Sequence, residues 1–226
     1  LTGQSFRETM FQEVENILWR RLYHYSTFFE SLDGYLTTGT TIFDSGNNGY
    51  LTLEASPTQA GIEKLVIEDL GADIFLTFDV ASRFRTMIDF FSITDMTAYL
   101  SVGQNLGTDV EQNHYGFEIV GGGAVRGTTG NPNNPHPNSF SRIDLGVTLA
   151  TSREYELEAI YFPNKGIQFY IDRVFRGAIS SNLPSFANAQ FRGISTLCDF
   201  NITRTPAGSG AKVMKIRHFE FLSRKP

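Results

Sequence analysis

The chain has 226 residues, 41% of them hydrophobic and 13% aromatic with 20 Phe, so it is long enough to bury a sizeable core as one domain. A net charge of −5 and a pI near 5.4 argue against a general nucleic-acid surface, which needs a basic excess; they leave room for a local basic patch, for which Arg20-Arg21 and Arg83/Arg85 are the candidates. One cysteine, Cys198, excludes an intramolecular disulfide framework, and its neighbours Ile194, Leu197 and Phe200 suit a buried core thiol.

No apolar run approaches the roughly 18 residues of a membrane span, and no secretory leader is visible. The start at Leu1, without methionine, fits a processed product or a piece of a longer protein.

The pattern over Ser5–Tyr23 predicts a helix. Ser5 and Glu8 form a capping box. Phe6, Met10, Val14, Ile17 and Leu18 recur at helical spacing opposite Arg7, Glu8, Gln12, Glu13, Glu15 and Asn16. A β-sandwich has no need of this amphipathic segment, so residues 1–25 are expected to be an appendage that docks on the sandwich or on a neighbouring subunit.

From residue 26 onward the chain reads as strands. Tyr35–Phe43 is followed by Ser45-Gly46-Asn47-Asn48-Gly49, a hairpin signal because Asn-Gly supplies positive φ at low cost. Tyr50–Ala55 alternates back. Pro57–Gly61 is expected as a loop, followed by strands over Ile62–Glu68, Ile74–Ala81, Phe84–Phe91 and Ala98–Val102. Gly103–Asn113 is polar and loop-like. Tyr115–Val120 turns through Gly121-Gly122-Gly123 into Ala124–Thr128. Thr129–Ser139, with three prolines and four asparagines, cannot be a sheet interior, and a strand over Ile143–Leu149 follows.

Tyr155–Pro184 is the most legible stretch. Tyr155–Tyr161 and Gly166–Ile171 alternate around the turn Phe162-Pro163-Asn164-Lys165, and a second reversal through Arg176-Gly177 is expected to lead into Ala178–Leu183. Phe186–Gln190 suits a helical turn. Strands over Phe191–Arg204 and Lys212–Leu222, joined by the loop Thr205–Gly210, complete about a dozen. That number suits two packed sheets.

The order of these elements resembles the concanavalin A-like or laminin G-like jelly-roll superfamily. The residues that carry the likeness are Phe29-Glu30-Ser31-Leu32-Asp33-Gly34, Tyr115-Gly116-Phe117-Glu118-Ile119, Phe169-Tyr170-Ile171-Asp172 and Ser180-Ser181-Asn182-Leu183-Pro184. The combination looks like modules of phage and other viral particles, and it covers residues 26–226. The resemblance implies an all-β, two-sheet antiparallel jelly-roll sandwich, and no single activity. Arg173 stands where the laminin G-like pattern has glycine, so Asp172 is expected to stabilise the turn by accepting hydrogen bonds from nearby amides.

The family's glycosidase pattern, acidic-x-acidic-x-x-Glu on one strand, is absent. Glu154, Glu156 and Glu158 alternate opposite Tyr155, Leu157 and Ala159, and read first as a solvated strand face. Should the chain be an enzyme, Glu156 and Glu158 are the residues to mutate first. The histidines (24, 114, 136, 218) share no metal-like or base-like spacing, and no Gly-x-Ser-x-Gly or phosphate loop is present. No catalytic residue and no cofactor is therefore expected. Calcium is the one candidate ion, at the oxygen-rich loops of Asp44, Asn47 and Asn48 or of Asp109, Glu111 and Asn113, with ordinary turn chemistry the plainer reading. Sugars pair apolar faces with hydroxyls, so Tyr99, His114, Tyr115, Asn131, Asn133, Asn134 and His136 are the candidate glycan ligands.

The function expected from these features is a non-catalytic virion structural or decoration protein. It would sit at a virion or extracellular surface and assemble with other virion or surface proteins, as an oligomer, through the N-terminal helix. A carbohydrate-binding module of a tail fibre or cell surface is the alternative, and a polysaccharide-degrading enzyme the second alternative. Neither nucleic acid nor a membrane span enters.

Overall fold

The computed structural model describes residues 22–27, 36–44, 50–55, 59–65, 78–103, 113–131, 140–185, 196–204 and 210–224. They form fifteen strands and no helix. The strands are β1 (Leu22–Thr27), β2 (Leu36–Thr38), β3 (Thr40–Asp44), β4 (Tyr50–Ala55), β5 (Gln59–Leu65), β6 (Ser82–Phe90), β7 (Met96–Gly103) and β8 (His114–Val120), followed by β9 (Ala124–Gly130), β10 (Phe140–Thr148), β11 (Tyr155–Phe162), β12 (Gly166–Ile171), β13 (Val174–Ile179), β14 (Thr196–Arg204) and β15 (Lys212–Arg224). Sheet A runs β13-β12-β11-β6-β15-β4-β3, with β1 also on β15; sheet B runs β10-β9-β8-β7-β14-β5-β2. Every described pairing is antiparallel.

Period-two patterning builds the core. On β6, Phe84, Thr86, Ile88 and Phe90 are buried while Arg83, Arg85, Met87 and Asp89 are half-exposed. The inner faces meet through aromatic edges. Phe84 lies 5.7 Å from Phe117, Phe117 lies 5.4 Å from Phe169, and Phe200 lies 5.2 Å from Phe219, all at steep interplanar angles. Gly127 admits the Phe169 ring, because a Cβ there would fall 2.6 Å from it. Cys198 belongs to this core, as its apolar neighbours predict.

The long strand β15 uses one edge twice. Its start pairs with β4 and its end, Phe219–Arg224, with β1, while β6 lines the other side. Leu22 and Tyr23, read from sequence as the end of a helix, are therefore strand, opposite Arg224 and Ser223. The rest of that helix, including Phe6, Met10, Val14, Ile17 and Leu18, lies outside the described residues, as do residues 186–190.

Several boundaries differ from the sequence reading, each for a local reason. The expected strand Tyr35–Phe43 breaks at Gly39 (φ 67°), where the chain leaves sheet B for sheet A. β5 begins at Gln59, inside the expected loop, and ends at Leu65. Residues 78–81 are turn and bend, not the end of a strand. β9 extends to Gly130, two residues into the expected proline-rich loop. The second reversal of the meander falls at Asp172-Arg173 (φ 51° and 64°), and Arg176 is an extra residue where the β12–β13 register shifts. The meander does not form a sheet by itself. Its strands share sheet A with β3, β4 and β6.

Candidate functional site

The outer faces of the two sheets differ. On sheet A, outward side chains of β6 and β11 are half-exposed. On sheet B, the register lines up Asn201, Tyr99, Glu118, Arg126 and Asp144 in one row across β14, β7, β8, β9 and β10, and Asp199, Ser101, Gly116, Thr128 and Arg142 in the next. These side chains point away from the core, yet Tyr99, Ser101, Glu118, Thr128, Asp199 and Asn201 are all buried. Buried polar side chains are the informative kind, because leaving water costs free energy unless partners replace it.

Glu118 lies at the centre and is only 3% exposed. The Tyr99 hydroxyl donates to its Oε1 at 3.2 Å, and its Oε2 lies 3.0 Å from Arg142 Nε and 3.5 Å from Arg126 Nη1. Burial, with the Glu118 charge and hydrogen bond added, pushes the Tyr99 phenol up to about 12. Arg142 also lies over the Phe140 ring, 5.0 Å from its centroid. Beside it, Asn201 donates to Asp199 Oδ1 at 3.3 Å. Thr128 Oγ1 is buried and makes no hydrogen bond among the described residues. The face is thus a floor of polar groups with two half-exposed guanidinium groups above it. Through Arg126 and Arg142 it can offer guanidinium N–H donors to a polyhydroxylated ligand, whereas its carboxylate is already paired.

Sequence reasoning found only part of this floor. Tyr99 is on it, engaged with Glu118. Tyr115 is not. It faces the core, stacked 5.5 Å from Tyr161 with its hydroxyl 2.8 Å from Ser82 Oγ, and being wholly buried it cannot meet a sugar. His114 is likewise buried. Asn131 donates to the Leu183 carbonyl at 2.8 Å, so its amide serves the fold. Asn133, Asn134 and His136 lie outside the described residues.

Of the calcium candidates, Asn113 instead clamps Ser185, donating to its carbonyl (2.9 Å) and accepting from its N–H (3.1 Å). Asp44 ends β3, and Asn47, Asn48, Asp109 and Glu111 lie outside the described residues. Among the described residues no three His, Cys, Asp or Glu gather as a metal set. Glu118 and Arg126 were legible in principle, because a hairpin at Gly121-Gly122-Gly123 makes them cross-strand partners. Arg142 and Thr128 had no such signal.

The outer face of sheet A carries a second charged array. Glu154 pairs with Arg217 (3.1 Å), Glu156 with Arg173 (3.5 Å), Glu158 with Arg83 (3.4 Å), and Glu220 with Arg85 (2.9 Å) and Arg83 (3.5 Å). This is the half-exposed face that the alternating glutamates predict. Burial raises the Glu158 carboxyl above the usual range, with Glu156 and Glu220 adding to the effect and Arg83 and Arg85 opposing it. Burial also raises Glu154, with Asp89 adding to it.

No family model matches the sequence, and no curated protein matches it. Solved structures do. The Emp47p carbohydrate recognition domain superposes with a TM-score of 0.60 at 10% identity, covering 89% of this chain and 95% of that one. A family-16 glycoside hydrolase (GH16) of Bacteroides ovatus, in complex with a mixed-linkage glucan product, gives 0.58 at 9% identity, covering 87% and 99%. Botulinum neurotoxin type C, whose cell entry depends on two ganglioside molecules, gives 0.53 at 11% identity, and this chain spans 43% of its length. These likenesses define the fold as a concanavalin A-like jelly roll, the architecture that the sequence resemblance implies.

Proposed function

We propose that the chain is a non-catalytic recognition module that holds a glycan against the outer face of sheet B, as part of a virion or extracellular-surface assembly. The observation that carries this reading is the clamped state of Glu118, held by Arg142, Arg126 and Tyr99. Retaining glycosidases need two carboxyl groups about 5 Å apart, one of them able to carry a proton. Glu118 is instead engaged at both oxygens, Oε1 by Tyr99 and Oε2 by the two guanidinium groups. The described acids nearest in register are also engaged, Asp199 by Asn201 and Asp144 by the Gly146 N–H at 2.8 Å. Donors, not a free acid–base pair, are what this face presents. The neighbours named for carbohydrate recognition and ganglioside interaction support the same direction.

The test is a glycan array run beside a reducing-end assay on the retained polysaccharide. Retention without cleavage is expected, with loss of neutral-glycan retention in Arg142→Ala. An array with no hits, or turnover of a retained glycan, would overturn the reading. In the assembly, the amphipathic pattern from Phe6 to Leu18 supplies the protein contact. Light scattering should show an oligomer that Met10→Asp with Val14→Asp dissociates; a monomer in both preparations sinks that part.

One observation favours a hydrolase instead, the raised Glu158 carboxyl on sheet A next to Glu156. A preparation that cleaves polysaccharide and loses that activity in both Glu156→Gln and Glu158→Gln would establish it.

A further inference from the structure

The edge of sheet A carries a surface that none of the roles above uses. β13 is the edge strand, and its outward residues continue two rows from β11 through β12: Glu158, Tyr170 and Phe175 in one, Ile160, Gln168 and Ala178 in the other. Phe175 is 55% exposed, and its ring stands edge-on to Tyr170 at 5.6 Å between centroids. The Tyr170 hydroxyl donates to Gln168 Oε1 at 2.9 Å. That bond fixes the side-chain amide with its –NH2 group available as a donor. Next to Gln168 is a depression of about 370 Å³, walled by Phe162, Lys165, Ala178 and Ser180.

The charges here are unequal. Glu158, the acid on these rows, is paired with Arg83, and Glu156 with Arg173. Lys165 and Arg176 have no acidic partner among the described residues, and Arg176 is exposed where the β12–β13 register shifts. The patch is therefore locally basic on a chain of net charge −5. Aromatic faces beside an oriented amide, a hydroxyl and an ammonium group match a sugar ring, which presents C–H faces and hydroxyls together. The surplus positive charge selects an anionic ring over a neutral one. The same charges and the β13 bulge make the edge a poor template for another strand, since both are devices that block edge pairing.

We infer that the β11–β12–β13 edge is a second glycan site, specific for a carboxylated pyranose. The carboxylated ring sits in the depression against Phe162, where Gln168 and Ser180 meet its hydroxyls and Lys165 its carboxylate, and the next sugar of the chain packs on Phe175 beside Arg176. This rests on the reading of the chain as a glycan-recognition module, but places the anionic ligand on the opposite sheet from Glu118.

The experiment is surface plasmon resonance of the full chain against matched pairs of oligosaccharides, sialylated or uronate-bearing on one channel and their neutral counterparts on the other. Wild type should prefer the carboxylated member, more weakly as salt rises. Phe175→Ala and Lys165→Glu should each cost roughly tenfold in affinity for it, as loss of one aromatic or charged contact implies. Arg142→Ala should leave that affinity unchanged while losing neutral glycans. Phe175 and Lys165 are exposed, so unchanged melting temperatures are expected to accompany both substitutions. Equal affinity for the neutral partner, an unchanged affinity in both edge variants, or no retention of any carboxylated glycan overturns the second site. Loss of every glycan in Arg142→Ala alone would overturn it too, while leaving the sheet B site standing.

Discussion

At the scale of single residues, the turn between β12 and β13 shows a position held against backbone preference. Both Asp172 and Arg173 have positive φ, 51° and 64°. Aspartate tolerates this region better than most residues, and arginine has no such excuse. The turn survives because Asp172 is tied down three times. Its N–H donates to the Glu156 carbonyl (2.8 Å), its Oδ1 accepts from the Glu156 N–H (3.0 Å), and its Oδ2 accepts from Arg153 (2.9 Å). Arg173 gains only an exposed ion pair to Glu156, a kind of contact worth little. Arg173→Gly should therefore stabilise the chain by about 0.5–1 kcal/mol, because relief of left-handed strain outweighs the added freedom of the unfolded glycine. A denaturant titration showing a loss instead would mean that the Glu156 pair matters more than the backbone. Asp172→Ala should cost about 2 kcal/mol, since it removes two side-chain bonds and puts alanine at positive φ.

At the scale of elements, a seam from 181 to 185 ties the edge of sheet A to sheet B. Asn182 donates to the Phe140 carbonyl (2.9 Å), Thr129 to the Asn182 carbonyl (3.0 Å), Asn131 to Leu183, and Asn113 makes its two bonds with Ser185. Tyr161 places its hydroxyl between the carbonyls of Phe78 and Pro184, at 2.7 and 2.8 Å. Asn113→Ala leaves both Ser185 backbone groups without those partners and should cost about 2 kcal/mol in chemical denaturation. A change below about 0.5 kcal/mol, the scatter of ordinary surface substitutions, would show that water replaces the clamp.

This seam also shows what the sequence could and could not reveal. Alternation made β4 and β12 legible to the residue, because half-buried strands write their faces into every second position. The asparagines were visible too, but an asparagine that closes a turn, ligates calcium, binds a sugar or clamps a distant carbonyl looks the same in one dimension. The partner that decides among these lies about 50 to 70 positions away. The floor around Glu118 was hidden for the same reason. Arg142 reaches it from β10, and residues 131–139 separate β9 from β10, a length that fixes no register in the way a tight turn does. Tyr99 and Tyr115 look alike in composition, yet one faces outward and the other into the core, a difference set by strand register.

For the whole molecule, three buried phenols couple the fold to alkaline pH. Burial raises Tyr115, with the Tyr161 charge adding to it and the Ser82 hydrogen bond opposing; burial also raises Tyr161, with Asp79 adding; and Tyr99 is pushed up to about 12, by burial first and Glu118 next. In the unfolded chain all three ionise near pH 10. Above that pH the unfolded state releases protons that the folded state keeps, so the equilibrium moves toward unfolding. Their contribution is complete below about pH 10 and is lost as pH rises from there toward the folded values. Each such phenol contributes a slope of about 1.4 kcal/mol per pH unit, so three together remove roughly 4 kcal/mol per unit. For a stability near the lower end of the typical range of about 5–15 kcal/mol, unfolding is expected a little above about pH 11. Phenolate absorbance from Tyr99, Tyr115 and Tyr161 should rise only together with the loss of far-ultraviolet circular dichroism. Tyr115→Phe removes one titrating group and should flatten the slope by about a third. Should all nine tyrosines ionise near pH 10 with the dichroism intact, the phenols would be solvent-accessible, and the packing that links Phe84, Tyr115 and Tyr161 across the two sheets would have to be redrawn.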